Sequence, residues 1–230
     1  MQDSTLSRST LILLPGMDGT GELFAPFVAA LGAEFEVRTV RYPGDHCGGY
    51  RELEEIARQA IPADRPYVLL GESFSGPIAI SIAASAPGQL RGLVLCCTFA
   101  RNPRPALVAL KPFIGALPFK ALPASWLVDA SMRKVFKQAL DHVTTPALRA
   151  RMRAVLAVDV RDRLAACDAP ILYLRATRDR LVPRTAAELV AKIRPSTKVA
   201  ELDAPHFLLQ TEPAQAAREI AAFVRLNVRT

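Results

Sequence analysis

The sequence contains no run of about eighteen or more uncharged apolar residues, although half of its 230 residues are apolar. Such a run is the minimum for a membrane-spanning helix, so no transmembrane segment is predicted. The apolar run near the amino terminus covers only residues 11–14 before Pro15 and Gly16 interrupt it. It is too short for the core of a secretion signal, and we therefore expect a cytoplasmic protein.

Cysteine and histidine are scarce, with four and three residues respectively. The cysteines, Cys47, Cys96, Cys97 and Cys167, show neither the spacing of a disulfide framework nor that of a metal site. Buried free thiols in a reducing compartment are the better interpretation. No metal ion is predicted.

Acidic residues are too few to balance the basic ones, and the net charge is +7. The excess lies in residues 101–165, which contain twelve Lys or Arg and four Asp or Glu. A solvated helical surface is the first interpretation of this block. The alternative is a docking surface for an anionic partner such as an acyl carrier, coenzyme A or a lipid head group. The block has no recognisable nucleic-acid motif and no regularly interleaved aromatics, so no nucleic-acid partner is predicted.

Six short apolar runs rich in branched residues recur, with helical patterns between most of them. They occupy residues 10–14, 35–42, 67–70, 90–97, 170–174 and 198–202. Where these runs do not alternate with polar residues, we expect strands buried on both faces of a parallel sheet. The helical patterns cover residues 23–31, 53–61, 183–193 and 213–228. The sequence predicts one α/β domain over residues 1–230, with a mostly parallel sheet of about six strands flanked by helices.

Residues 101–163 interrupt this order and predict a helical lid inserted into the domain. The insertion begins with an apolar stretch, 103–127, in which Pro112, Pro118 and Pro123 argue against one long helix. Two amphipathic helices are predicted after it, near 129–141 and 146–158. A lid over an apolar pocket and an extra structural layer without a ligand both fit this pattern.

The third predicted strand leads into the sequence Leu-Gly-Glu-Ser-Phe-Ser-Gly at residues 70–76, and an apolar helical stretch follows. A serine at a sharp turn from strand to helix is the arrangement of a nucleophile elbow. The tight turn brings together the residues two before and two after the nucleophile, so both must be small. Gly71 and Ser75 meet this requirement around Ser73, whereas choosing Ser75 would place Pro77 at one of those positions. Ser73 is therefore the predicted nucleophile.

This segment resembles the G-x-S-x-G motif of the α/β-hydrolase superfamily, with Ser75 in place of the last glycine. The resemblance spans nearly the whole chain and implies the α/β-hydrolase fold, with nucleophile, acid and histidine in that order. Asp179, after the fifth predicted strand, matches the acid. Its alternative role is that of a carboxylate at the start of the next helix, or a partner for the neighbouring arginines. His206, in the loop after the sixth strand, matches the histidine and lies where ligand chemistry is expected.

The other histidines and one other acid are weaker candidates. His46 and His142 are interpreted as surface residues. Asp203 precedes His206 too closely in the chain to fold around it as the acid.

Residues 13–21 follow the first strand, where the family often has a His-Gly pair, and here Pro15 replaces that histidine. The resemblance implies that the backbone N–H groups of Met17 and Phe74 form the oxyanion hole. Phosphate binding is the competing interpretation of this glycine-rich loop. Neither the dinucleotide nor the P-loop fingerprint fits these residues, so no nucleotide site is predicted.

The sequence thus predicts a serine hydrolase that cleaves carboxylic esters or thioesters of small to medium acyl groups through an acyl-serine intermediate. Such a reaction needs no cofactor. The substrate is expected to be a small molecule, with a carrier-linked or coenzyme A-linked acyl group as one form. An acyltransferase with the same triad and a non-catalytic binding protein on a hydrolase fold are the alternatives. No oligomeric state is predicted.

Overall fold

A computed structural model describes residues 9–85, 89–113 and 132–227, with the backbone alone for 110–113. The described residues form a six-stranded parallel sheet with the strand order β2-β1-β3-β4-β5-β6. The strands are β1 (Ser9–Leu14), β2 (Phe35–Thr39), β3 (Tyr67–Glu72), β4 (Leu90–Cys96), β5 (Ile171–Ala176) and β6 (Lys198–Leu202). The predicted α/β architecture is confirmed.

Helices cover both faces of the sheet. They are α1 (Ala25–Leu31), α2 (Tyr50–Arg58), α3 (Gly76–Ala84), α4 (Arg133–Asp141), α5 (Thr145–Ala157), α6 (Arg161–Ala165), α7 (Arg184–Ile193), α8 (Leu208–Thr211) and α9 (Pro213–Asn227). Strand β1 shows how the two cores form: Leu11 and Leu13 pack with α1 and α9, and Ile12 and Leu14 pack with α2 and α3. Successive side chains of a strand point to opposite faces, so an apolar run fills both cores.

Several element ends differ from the predicted ones. Strand β2 ends at Thr39 instead of residue 42, because the chain then leaves the sheet and the Tyr42 N–H donates to the Gly19 carbonyl in the loop after β1. Helix α2 begins at Tyr50 instead of residue 53, where the Glu52 carboxylate accepts a hydrogen bond from the Gly49 N–H at 3.0 Å. The first predicted helix is divided into a 3-10 turn, Glu22–Phe24, and α1.

The insertion contains the predicted helical elements where the structure describes it. Helices α4 and α5 correspond to the patterns at 129–141 and 146–158, with residues 129–131 outside the described ranges. The proline-rich stretch begins as a 3-10 helix, Pro105–Phe113, and its part after residue 113 is also outside them. The turn between α4 and α5 packs on the β2–α2 loop, where the Thr144 N–H donates to the Gly44 carbonyl at 2.8 Å.

Three cysteines are buried and one is not. Cys96, Cys97 and Cys167 are buried free thiols, as predicted, but Cys47 is exposed because it lies in the loop before α2. Within the described ranges, no helix is both long and apolar enough to cross a membrane.

Candidate active site

The turn between β3 and α3 holds Ser73 in a left-handed backbone conformation, with a φ of 48°. This conformation is unfavourable for a non-glycine residue, and it is tolerated here because the surrounding packing leaves no alternative. A Cβ atom on Gly71 would lie 2.7 Å from the Ala79 Cβ and 2.9 Å from the Ser75 carbonyl oxygen. The strand and the helix are therefore in direct contact behind the serine, and its side chain faces outward at the carboxyl edge of the sheet.

Side-chain hydroxyls fix both sides of this turn. The Thr98 hydroxyl, after β4, donates to the Ser73 carbonyl. The Ser75 hydroxyl donates to the Pro15 carbonyl and also hydrogen bonds with the Tyr42 hydroxyl at 3.0 Å. Because Ser75 is fully buried and its hydroxyl has two partners, it ties the turn to the loop after β1 and is not accessible as a nucleophile.

Ser73, His206 and Asp179 form one hydrogen-bonded series. The Ser73 Oγ lies 2.8 Å from His206 Nε2, and His206 Nδ1 lies 2.7 Å from Asp179 Oδ2. The side chains of His206 and Asp179 are 6% and 4% exposed. The structure therefore brings together the three residues that the sequence selected from distant parts of the chain.

Asp179 also caps the start of the segment that follows it. Its second oxygen, Oδ1, accepts hydrogen bonds from the backbone N–H groups of Leu181 at 2.8 Å and Val182 at 2.9 Å. Burial acts to raise the pKa of Asp179, but the hydrogen bond and charge of His206 and the two N–H donors hold it below its usual value. Asp179 thus contacts the imidazole of His206 and also accepts N–H groups at the start of the next segment, so the two placements that the sequence offered occur together.

The weaker candidates lie outside this series. Asp203 is exposed and accepts hydrogen bonds from Arg178 at 2.9 Å and Thr177 at 3.1 Å. His142 is exposed, as predicted. His46 is half-buried, and its Nε2 has no partner among the described residues, which differs from the expected surface position.

The predicted oxyanion loop lies directly beside Ser73. A Cβ atom on Gly16 would be 4.0 Å from that of Ser73. The Gly16 carbonyl accepts a hydrogen bond from the Gly19 N–H at 3.1 Å, whereas the Met17 N–H has no partner among the described residues. Phe74 follows Ser73 in the first turn of a helical segment, where N–H groups have no partner within the helix.

Arg151 on α5 holds the same loop from the side of the insertion. Its Nη1 donates to the carbonyls of Met17 at 2.8 Å and Asp18 at 3.1 Å, and its Nη2 donates to the Pro43 carbonyl at 3.0 Å. The side chain is completely buried. Arg151 was not predicted, because it belongs to the basic block and nothing in the sequence pattern separates it from its neighbours.

Glu72, the residue before Ser73, is a second residue that was not predicted. Its side chain is buried, and its Oε1 accepts a hydrogen bond from Gln210 Nε2 at 2.9 Å. Burial and the nearby charge of Asp18, opposed by Gln210 and His206, raise the pKa of Glu72 to about 7. A signal existed in the sequence, since Glu72 is the one charged residue between positions 67 and 75.

An apolar cavity of about 240 Å³ opens above Ser73 and His206. Most of its lining is aromatic and aliphatic, and it includes Phe99, Phe136, Met152, Leu156, Val182 and Phe207. Helices α4 and α5 of the insertion contribute three of these six side chains. The arrangement can hold a hydrocarbon group next to a serine hydroxyl that is hydrogen bonded to an imidazole.

One group of side chains in the site has the composition of a metal centre. Possible ligand atoms of Cys97, Asp179 and His206 lie within 4.8 Å of one another. Both nitrogens of His206 are already engaged, one with Ser73 and one with Asp179. A metal ion at this position would have to displace these hydrogen bonds, so the geometry favours acid–base chemistry over metal binding.

Comparison with known proteins gives consistent matches. Residues 11–219 match the profile of a family described as the alpha/beta hydrolase family. A protein of Azorhizobium caulinodans named as a carbamate hydrolase, RutD, is 28% identical over 222 residues, which cover 84% of this chain and 82% of that protein. The pimeloyl-acyl-carrier-protein methyl ester esterase of Xanthomonas axonopodis is 27% identical over 212 residues, with 80% and 82% covered.

A solved structure gives the same fold. A lipase-esterase related protein from Clostridium acetobutylicum superimposes with a TM-score of 0.81 at 18% identity. The superposition covers 95% of each chain. At this identity the similarity concerns the fold alone.

Proposed function

The chain belongs to the alpha/beta hydrolase family, and on that premise we propose that it is a serine hydrolase that cleaves carboxylic esters or thioesters of small to medium acyl groups. The observation that carries the proposal is the hydrogen-bonded series of Ser73, His206 and Asp179 at the base of an apolar cavity. Ester-cleaving activity is also the activity named for one relative of similar length.

In the proposed acylation step, the Ser73 Oγ attacks the substrate carbonyl carbon while His206 Nε2 accepts the hydroxyl proton. Asp179 holds the Nδ1 proton of the imidazole and stabilises the imidazolium that forms. The N–H groups of Met17 and Phe74 donate to the developing oxyanion. The imidazolium then returns its proton to the leaving alcohol or thiol, and an acyl-serine remains. Water attacks this ester in the second step, with His206 again as the base.

The lining of the cavity favours an acyl group that carries no charge near its carbonyl carbon. Its lining is largely apolar, and burial of hydrocarbon against such a surface contributes about 0.8 kcal/mol per CH₂ group. We propose that the insertion, residues 101–163, acts as the lid of this single domain, because α4 and α5 supply part of the lining. A volume of about 240 Å³ suits a small to medium acyl group.

The test of the nucleophile is covalent labelling with a fluorophosphonate. Wild-type protein should take up one label per chain, and Ser73→Ala should take up none. Ser196→Ala, a matched change at an exposed serine, should label as the wild type does. Lack of labelling of the wild type would contradict the catalytic role and favour a non-catalytic binding protein. Equal labelling of Ser73→Ala would contradict the choice of nucleophile.

The substrate class and the acyl acceptor are determined by a second experiment. Hydrolysis rates of p-nitrophenyl esters of increasing chain length, beside acyl-thioesters, give the preferred acyl group. Product analysis in the presence of added alcohols then separates hydrolysis from acyl transfer, because an acyltransferase yields mainly the new ester. We expect the free acid to dominate.

A further inference from the structure

Among the described cationic side chains of the insertion, only Arg151 hydrogen bonds with the oxyanion loop, and its hydrogen-bond partners are backbone carbonyls. Two of these carbonyls belong to Met17 and Asp18, the residue proposed as an oxyanion donor and its neighbour. The third belongs to Pro43 in the loop after β2. One side chain of α5 therefore connects two loops at the carboxyl edge of the sheet.

The hydrogen bonds fix the Met17 backbone from both sides. On one side, the Gly16 carbonyl accepts from the Gly19 N–H at 3.1 Å. The Gly16 carbonyl and the Met17 N–H belong to the same trans peptide and point in opposite directions. The bond to Gly19 therefore directs the Met17 N–H away from Gly19. On the other side, Arg151 holds the Met17 carbonyl at 2.8 Å. Rotation of either peptide would break one of these bonds.

The charge of Arg151 is not neutralised by an ion pair with a described residue. The nearest acid, Asp18, uses its carboxylate to accept hydrogen bonds from the backbone N–H and hydroxyl of Thr20 at 2.9 and 2.6 Å. The nearby charge of Asp18 acts on the guanidinium and offsets part of its positive potential. The main effect of Arg151 on the loop is therefore to hold the carbonyls of Met17 and Asp18 by hydrogen bonds.

The packing around Arg151 leaves little freedom. Gly19 has a φ of 71°, and a Cβ atom there would lie 2.8 Å from Arg151 Nη1. Val143, Ala147 and Leu148 of the insertion form a small core in contact with Met17. The guanidinium therefore has a defined position, which is the condition for orienting a catalytic group.

We propose that Arg151 is a positioning residue of the proposed hydrolase, which orients the Met17 N–H towards the oxyanion and strengthens its stabilisation. The inference rests on the proposed function and adds to it a role for the insertion: α5 completes the oxyanion hole as well as covering the cavity. The competing role is purely structural, in which Arg151 only anchors α5 to the domain.

The two roles differ in the kinetic constants that they affect. Because an oxyanion exists only in the transition state, loss of its stabilisation lowers kcat and leaves KM nearly unchanged. Loss of one direct oxyanion donor lowers kcat by about 10²–10³-fold, so an indirect effect should be smaller. For Arg151→Met we expect kcat on a p-nitrophenyl ester to fall about 10- to 100-fold. Arg153→Met, at an exposed arginine of the same helix, should keep the wild-type kcat.

Two further variants separate positioning from folding. Arg151→Lys keeps the charge but lacks the planar fork, so its kcat should lie between those of the wild type and Arg151→Met. Arg151→Ala leaves space for a free guanidinium ion, and added guanidinium chloride at non-denaturing concentration should restore part of its kcat with saturation. The same salt should not raise the kcat of the wild type.

The inference is overturned if Arg151→Met keeps the wild-type kcat, or if only KM and the melting temperature change. If Arg151→Met does not fold, the lysine variant decides: a lowered kcat at constant KM supports positioning, and an unchanged kcat contradicts it. Failure of the proposed function has a different signature, because wild-type protein would then neither hydrolyse esters nor react with a fluorophosphonate.

Discussion

Glu72 is a carboxyl group enclosed by the nucleophile turn, the loop after β1 and α8. Its burial and the nearby Asp18 charge raise its pKa to about 7, against the hydrogen bond from Gln210 and the proximity of His206. The unfolded chain ionises near the ordinary value of 4.5. Between these two pH values the unfolded state releases a proton that the folded state retains, so the stability contributed by this group falls as the pH rises.

We therefore expect Glu72→Gln to raise the free energy of unfolding more at pH 8 than at about pH 4.5. The amide resembles the protonated carboxyl group, and its oxygen can still accept the hydrogen bond from Gln210 Nε2. The difference in this stabilisation between the two pH values should be about 2–4 kcal/mol, because the pKa of Glu72 is about 7 in the folded protein and 4.5 in the unfolded chain. Urea denaturation of both proteins across this range measures it.

The control for Glu72→Gln is Glu22→Gln, at an exposed glutamate. The free energy of unfolding of Glu22→Gln should match that of the wild type at every pH. A difference between Glu72→Gln and the wild type that does not depend on pH would contradict the assigned protonation behaviour.

At the level of single residues, the sequence predicted three groups that follow a fixed chain order and that the structure brings together. Ser73, Asp179 and His206 each follow a strand, and parallel strands bring their carboxyl ends to one edge. Arg151 could not be selected in this way, because Arg149 and Arg153 flank it with the same chemistry. Which arginine faces the core depends on the rotation of α5 against the oxyanion loop, and a basic helix without a clear apolar face does not determine that rotation.

At the level of elements, the contact between β3 and α3 sets the geometry of the nucleophile turn. Gly71→Ala should destabilise the protein by about 1–3 kcal/mol, because the added Cβ meets Ala79 and the Ser75 carbonyl at 2.7 and 2.9 Å. The strand and helix would have to separate, which would also move Ser73 away from His206. Urea denaturation and kcat measured on one preparation should show both losses.

Gly49→Ala provides the matched control for this change. Gly49 precedes α2 with a φ of −92°, and a Cβ atom there would have its nearest neighbour, Glu52 Oε2, at 3.7 Å. We expect a loss below about 1 kcal/mol and no change in kcat. Equal destabilisation by the two substitutions would indicate that the glycine at position 71 is not required by packing.

Element ends were predicted less well than element types, and the reasons are local hydrogen bonds. The apolar pattern of residues 35–42 continues past Thr39 because Val40 and Tyr42 remain buried. The Val40 N–H still donates to Leu13 of β1, but the Tyr42 N–H donates to Gly19 in the loop after β1, so Tyr42 belongs to the core without belonging to the strand. A hydrophobic pattern indicates which side chains are buried, but it does not indicate which carbonyls their backbone N–H groups bond to.

At the level of the whole molecule, the alternation of strands and helices fixes the parallel sheet, since a parallel strand needs a crossover connection. The crossover rule for parallel strands does not determine where the helices of the insertion lie. Its contacts with the sheet domain are made by individual side chains and turns, such as Arg151 and Thr144, and these do not form a repeating pattern. The sequence could therefore predict helices in the insertion, but it could not predict which of its residues contact the site.

The uneven charge leads to a prediction about substrates. The chain carries +7, and the excess lies in the insertion, where Arg133, Lys134 and Lys137 are exposed and form no ion pair with a described residue. If the insertion attracts an anionic acyl donor, kcat/KM for an acyl-coenzyme A thioester should fall about tenfold as NaCl rises from about 20 to 300 mM. A neutral p-nitrophenyl ester of the same acyl group should change less than about twofold, since it has no charge to be steered.

Reversal of the charge at these three positions to glutamate should reduce kcat/KM for the coenzyme A thioester and leave the neutral ester unaffected. Arg218→Glu, at an exposed position of α9, controls for net charge, because a general field effect would respond to it as well. Since the three side chains lie on a helix whose Phe136 lines the cavity, their effect should depend on position and not on total charge. If kcat/KM for the two substrates changes equally with NaCl concentration, the basic block is a solvated surface without a role in substrate binding.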